Sequence, residues 1–215
     1  VSSYDYLGLI GHPEIERAAA AAIKKYGTST GGVRLLTGTT DLHQQLDEKI
    51  AGFKQVEACL TFSSGYLANL AAITSLLRKD DLVIIDNRAH RSIVDACLLA
   101  GVKLHRFRHN DCNDLEDALK SDMVTGRRTM VIVEGVYSMD GDIAPLDRIC
   151  EVAEEHDILL MVDDAHGEGV LGKGGRGIVD HFDLHGKVAL FLVNDPDFAA
   201  AADQAQKAAD KTITG

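Results

Sequence analysis

Five consecutive apolar residues, Ile158 to Val162, run without interruption into two carboxylates, Asp163 and Asp164, followed by Ala165, His166 and Gly167. A continuous run of branched apolar side chains of that length reads as a strand buried on both faces, which puts the acids at its C-terminal end. In open α/β sheets that edge is where ligands bind. An acid held there by a rigid strand can pair with a protonated ring nitrogen, and an imidazole three residues on can reach the same ligand. Taken alone, the same residues also fit a solvated strand end with an incidental histidine.

The rest of the chain repeats this arrangement. Helical periodicity runs from Pro13 to Lys25, with Gly27 as a stop signal, and from Leu42 through Leu46 to Ile50. Strands are predicted at 58–62, 82–86, 103–107, 129–133 and 158–162. Helices are predicted at 67–77, near 92–99, around 115–119 and at 146–155. From residue 42 onward helices and strands alternate, which predicts an α/β fold, a mostly parallel sheet with helices on both faces.

With 215 residues, 46% of them hydrophobic and 26% charged, the chain can bury a substantial core. A net charge of -11 without a basic cluster excludes nucleic acid or an anionic membrane as the expected main partner. Cys59, Cys97, Cys112 and Cys150 are scattered without metal-ligand spacing, so free thiols in a reducing compartment are expected and no metal. No apolar stretch approaches the roughly 20 residues of a spanning helix, and no signal peptide is visible, which together predict a soluble cytoplasmic protein. The first residue is Val1 rather than Met, so a clipped start is expected.

A parallel sheet sets all its C-terminal strand ends on one edge, and three more polar segments fall there. Ser63-Ser64-Gly65-Tyr66 precedes a helix, where a glycine lets backbone N–H groups approach an anion and the dipole favours phosphate; a simple N-cap reads equally well. Asn87-Arg88-Ala89-His90 brings an imidazole, or merely an exposed loop histidine. Glu134 to Asp142 is an irregular polar loop that offers the Ser138 hydroxyl, or a turn built on Asp140-Gly141.

This ordered set resembles the α-oxoamine synthases, pyridoxal-phosphate enzymes of the fold-type I aminotransferase superfamily that include serine palmitoyltransferase and 8-amino-7-oxononanoate synthase. The resemblance runs from Tyr6-Leu7-Gly8-Leu9 through Gly31-Gly32-Val33-Arg34, Phe62 to Tyr66, Phe107-Arg108-His109-Asn110-Asp111 and Glu134 to Leu146, to Asp163 through Gly177. It implies the large domain of such an enzyme, in part. By this resemblance Asp163 pairs with the pyridine nitrogen of pyridoxal 5'-phosphate, His166 lies near the ring's phenolic oxygen, and His90 stacks on the ring with its edge toward the substrate carboxylate. Ser64, Gly65 and Tyr66 cradle the phosphate, and Ser138 supports the cofactor; His90, Asp163 and His166 are the catalytic set. The implied reaction is a decarboxylating condensation of an amino acid with an acyl-CoA to give an α-amino ketone. The implied assembly is a homodimer, with the Gly- and Thr-rich segment 27–40 at its interface. The domain expectation is an N-terminal segment and interface loop over 1–40, a pyridoxal-phosphate-binding domain over 41–188, and an atypical tail over 189–215.

Two departures matter. The family's Gly-Thr-x-Ser-Lys segment, whose lysine binds the cofactor, does not occur; Lys207 and Lys211 lie in an Ala-, Asp- and Gln-rich pattern that reads as a solvated helix. The expectation is therefore a chain truncated before that lysine. Tyr4-Asp5-Tyr6 also lacks the Asn often found before Tyr-Leu-Gly. A non-catalytic homologue serving as a partner subunit, and another fold-type I enzyme such as an aminotransferase, remain alternatives.

Overall fold

The computed structural model describes residues 3–121 and 123–192. These fall into two compact units that divide between Thr61 and Phe62.

The first unit carries α1 (Pro13–Tyr26) and α2 (Asp41–Lys54). Pro13 occupies the first turn of α1, Glu14 and Glu16 sit at its positive end and Lys24 and Lys25 at its negative end, and Gly27 closes it with φ 81°. Thr40 precedes α2, its backbone N–H donating to His43 Nδ1 at 3.2 Å. The predicted strand at 58–62 does not form. Residues 58–62 join no ladder among the described strands, and side chains satisfy the backbone at Thr61 instead. Asp47 Oδ1 accepts from Thr61 N at 3.0 Å, and Arg34 Nη1 donates to Thr61 O at 2.9 Å while its Nη2 pairs with Asp47 at 2.6 Å. Leu60 is largely exposed, so the apolar pattern there finds no core to fill.

The second unit is the predicted α/β layer structure. In chain order it contains α3 (Gly65–Leu76), β1 (Leu82–Asp86), α4 (Arg91–Ala100), β2 (Lys103–Phe107), α5 (Cys112–Lys120), β3 (Thr129–Glu134), α6 (Leu146–Glu155) and β4 (Leu159–Asp163). A 3-10 turn at Lys173–Gly175, α7 (Ile178–His181) and β5 (Leu190–Leu192) follow. Among the described residues the five strands are all parallel, in the order β2-β1-β3-β4-β5. Of the segment expected as a tail, residues 190–192 are this edge strand. Lys207, Lys211 and the rest of the expected surface helix lie outside the described residues.

The strands read as continuous apolar runs because both faces are covered. Leu82, Ile84, Val131, Val133, Leu160 and Val162 pack against Leu115 and Leu119 of α5, Leu146 and Ile149 of α6 and Ile178 of α7. The alternate residues Val83, Ile85, Met130, Ile132 and Met161 pack against Ile73 of α3 and Ile93, Ala96 and Cys97 of α4. The chain moves from β1 to β2 in one direction and from β2 past β1 to β3 and β4 in the other. Right-handed crossovers then demand that the connecting helices change face, which is what α4 on one side and α5 and α6 on the other achieve. The reversal opens a switch point between β1 and β3 at their C-terminal ends.

Beyond β4 the chain coils around Asp164, which is fully buried and accepts from Ile178 N at 2.9 Å. A Cβ added to Gly135, Gly167 or Gly177 would lie 2.2, 2.1 or 1.8 Å from its carboxylate oxygens, so these three glycines are required by close approach. Gly135→Ala is therefore expected to lower stability by ~1–3 kcal/mol. Gly52→Ala, in open space on α2, should raise it by ~0.5–1 kcal/mol. Urea unfolding of both variants checks the contrast.

Candidate active site

At the switch point the C-terminal ends of β1, β3 and β4 and the N-termini of α3 and α4 surround one cleft. Gly65, Tyr66, Asn69, His90, Ser92, Glu134, Asp163, Ala165, His166 and Leu192 line it. Of the residues singled out from sequence, the fold brings together Gly65, Tyr66, His90, Asp163 and His166.

Asp163 and Glu134 end β4 and β3 and are direct cross-strand partners. Both are buried, at 5% and 3% exposure. Asp163 Oδ2 accepts from Asn69 Nδ2 at 2.8 Å and its Oδ1 from Ala165 N at 3.2 Å. Burial raises the Asp163 pKa, and the Asn69 and Ala165 N–H groups and the imidazoles of His90 and His166 work against that rise. Glu134 accepts from His90 N and from the backbone of Ser138. Burial, then the negative field of Asp163, pushes it up to about 8. Two carboxylates so close share one proton near neutrality. The negative field of Asp163 is itself among the causes that raise Glu134, so the shared proton is assigned to Glu134, while the Asn69 and Ala165 N–H groups sit on Asp163. His166 is half-buried, and burial, against the pull of Asp163, lowers its pKa, which keeps the ring neutral.

His90 caps α4: its Nδ1 accepts from Ser92 N at 3.3 Å and lies 2.7 Å from Ser92 Oγ. At the start of α3, Ser64 Oγ accepts from Leu67 N at 3.2 Å. Ser64 is thus used as the helix cap, while Gly65 and Tyr66 face the cleft, and the Tyr66 hydroxyl donates to Asp95 at 2.9 Å. The first-turn N–H groups and the helix dipole give this end of the cleft a preference for an anion.

Ser138 lies on the loop that follows β3. It is exposed and absent from the cleft lining; the Val136–Ile143 bridge closes its loop so that Tyr137 is buried and Ser138 turns outward. What it offers the site is its backbone N–H, directed at Glu134. The same loop is pinned by His109, whose Nδ1 lies 3.0 Å from Asp86 and whose Nε2 lies 3.0 Å from Asp142, with Arg88 bridging Asp140 at 2.7 Å. His109 stands edge-on to Tyr137 at 4.6 Å.

Asn69, Ser92 and Glu134 escape the sequence reading. Glu134 carried the same signal as Asp163, an acid directly after an apolar strand. Asn69 lies four residues after Gly65 and four before Ile73, a lone amide on the buried face of an apolar helix. Ser92 carries no signal beyond following His90.

The sequence profile of the family described as aminotransferase class I and II matches residues 1–195. The chain belongs to that family. Among curated relatives it is 46% identical over 188 residues to the 8-amino-7-oxononanoate synthase of Alkaliphilus oremlandii, covering 87% of this chain and 48% of the relative. It is 47% identical over 190 residues to that of Symbiobacterium thermophilum, with 88% and 48% covered. The chain thus spans about half the length of the curated relatives it matches. Among solved structures, the serine palmitoyltransferase of Sphingomonas wittichii superposes with a TM-score of 0.87 at 31% identity, over 96% of this chain and 61% of that one. The S. paucimobilis enzyme with bound PLP-myriocin gives 0.85 at 34%, over 94% and 54%. Within the family, the likeness is therefore to α-oxoamine synthases. The fold is the fold-type I architecture expected, and among the described residues no helix is long and apolar enough to cross a membrane.

The pH response of Glu134 follows from its burial. A carboxyl whose pKa rises on folding stabilises the protein below its ordinary value of 4.5, and that contribution fades as pH climbs through about 8. Glu134→Gln has no proton to lose. Thermal unfolding across this range should show wild type losing stability relative to the variant as pH rises; a constant difference would contradict the assignment.

Proposed function

We propose that the protein is a pyridoxal-phosphate-dependent α-oxoamine synthase, condensing an amino acid with an acyl-CoA with loss of carbon dioxide. The observation that carries this reading is the buried Asp163 carboxylate, amide-clamped and flanked by His90 and His166 in one cleft. A buried anion of that kind suits a cationic ring nitrogen, and the α3 N-terminus with Gly65 and Tyr66 suits a phosphate, so the residues fit pyridoxal phosphate. When bound, that group supplies an electron sink for a carbanion at the amino acid's α-carbon.

The chain's own residues then have separate tasks. Asp163 keeps the ring nitrogen protonated, because an ionised carboxylate in a dry site favours the cation beside it. His90 provides a flat face for the ring and an edge N–H for the substrate carboxylate. His166, neutral because burial disfavours its cation, orients the ring's oxygen substituent by hydrogen bonding. Ser64, Gly65 and Tyr66 form the phosphate-binding turn, Ser64 by capping the helix that presents it. Ser138 supports the site through its backbone. Among the described residues no lysine lines the cleft.

The active unit is a homodimer in the cytoplasm in this reading. The Gly-rich segment 27–40 and the strongly exposed Leu35 and Leu36 within it support a subunit interface, and the free thiols and net charge of -11 support the compartment.

Acyl-CoA-dependent release of free CoA, measured with serine, alanine and glycine as co-substrates, tests the reaction; transamination without CoA release would assign an aminotransferase instead. Asp163→Asn is expected to cut turnover by on the order of 10²-fold or more while leaving the fold intact, because a neutral amide cannot hold a ring nitrogen protonated. Near-wild-type turnover in that variant would remove Asp163 from the mechanism.

A further inference from the structure

We propose that Asn69 is a positioning residue that, through Ser92, ties the charge of Asp163 to the tautomer of His90, so that His90 presents an N–H, not a lone pair, at Nε2. The hydrogen-bond chain rests on the distances among these residues and on an ionised Asp163; its use against a substrate carboxylate rests on the reading above.

Three buried groups make the connection. Asn69 is 1% exposed and Ser92 fully buried, so neither exchanges these partners for water. Asn69 Nδ2 reaches Asp163 Oδ2 at 2.8 Å and Ser92 Oγ at 2.9 Å, using both of its hydrogens. Ser92 Oγ lies 2.7 Å from His90 Nδ1.

Donor and acceptor capacities fix the direction of the whole chain. An ionised Asp163 can only accept, so it turns the NH2 side of the Asn69 amide toward itself. The amide nitrogen can only donate, so Ser92 Oγ must accept from it. The Ser92 hydroxyl hydrogen is thereby freed for its other neighbour, His90 Nδ1. The backbone N–H of Ser92, at 3.3 Å from the same nitrogen, points the same way. With two donors aimed at Nδ1, the proton of the neutral ring sits on Nε2. Buried chains of this kind reinforce one another because each bond polarises the next in a low dielectric. The arrangement joins an acid at the end of β4 to an imidazole at the start of α4 through one residue of α3, and explains why an amide occupies the buried face of an otherwise apolar helix.

Long-range proton–nitrogen correlation spectra of the protein with 15N-labelled histidine, recorded without cofactor, report the tautomer directly. His90 is assigned by its loss in His90→Gln. The neutral ring in wild type is expected as the Nε2–H form, and an Nδ1–H form would overturn the proposal without any variant being made. Asn69→Asp, nearly identical in shape, replaces the donor facing Ser92 with an acceptor. The Ser92 hydroxyl should then turn toward residue 69, and His90 should reverse to Nδ1–H; an unchanged Nε2–H form would refute the coupling. Should that variant not fold, Asn69→Leu fills the same space without polar groups and should show a mixture of tautomers, whereas retention of pure Nε2–H would again refute it. Pyridoxal phosphate titrated into wild type is followed separately by absorbance. Failure to bind would sink the functional reading while leaving the tautomer result in force.

Discussion

Pairing Glu134 with Asp163 across two parallel strands is the constraint around which the cleft is organised. Neighbouring strands in register place those side chains on the same face at the same height, and both are almost completely withdrawn from solvent. Two adjacent ionised carboxylates there would be expensive, since desolvation and mutual repulsion act together. The surrounding residues resolve the conflict asymmetrically. Asp163 has a side-chain amide, a backbone N–H and two imidazoles within reach of its charge. Glu134 has two backbone donors and faces the fields of Asp163 and Asp86. One acid becomes a fixed anion and the other a proton carrier, although the chain supplies both at the same kind of position.

The location of that pair follows from topology. Because the sheet grows outward from β1 first toward β2 and then toward β3, the loops leaving β1 and β3 part in opposite directions. The gap between them would expose strand ends unless something filled it. His90 and Glu134 bridge it by the hydrogen bond from His90 N. The α3 and α4 N-termini point their positive ends into the same space, which makes the cleft hospitable to anions at one end while Asp163 makes it hospitable to a cation at the other. A flat ligand carrying both charges is the complement of such a field.

Much of this was legible in the chain because the strands are short, apolar and end abruptly at polar residues; β1, β2 and α6 fall at 82–86, 103–107 and 146–155 as expected. His90, Asp163 and His166, which line one cleft, stand out in the sequence by strand-end position together with family resemblance. What the sequence pattern did not decide has physical causes. Residues 58–62 carry strand-like composition, but a strand exists only by pairing, and side chains of Arg34 and Asp47 satisfy Thr61 instead. Ser138 shares its loop with conspicuous polar neighbours, yet a single antiparallel bridge decides which of Tyr137 and Ser138 faces inward. Asn69 and Ser92 were hidden because their role is relational: each is an ordinary helix residue until a carboxylate from β4 and an imidazole from α4 arrive on either side.

The two adjacent acids after β4 show how strictly strand alternation divides labour. Asp163 shares parity with Met161 and so faces the α3 and α4 side, where Asn69 meets it. Asp164 shares parity with Val162, and it is held on the opposite side by Ile178 N and by three glycines that leave no room for a side chain. Asp86, in step with Leu82 and Ile84, likewise turns to that second side and meets His109. One face thus carries the cleft chemistry and the other anchors the loops that enclose it. A slip of one residue in β4 would exchange these roles, aiming Asp164 at Asn69 and driving Asp163 into the glycine cradle. The apolar register of Leu160, Met161 and Val162 against both helical layers therefore fixes the carboxylate in the cleft as firmly as any hydrogen bond made to it.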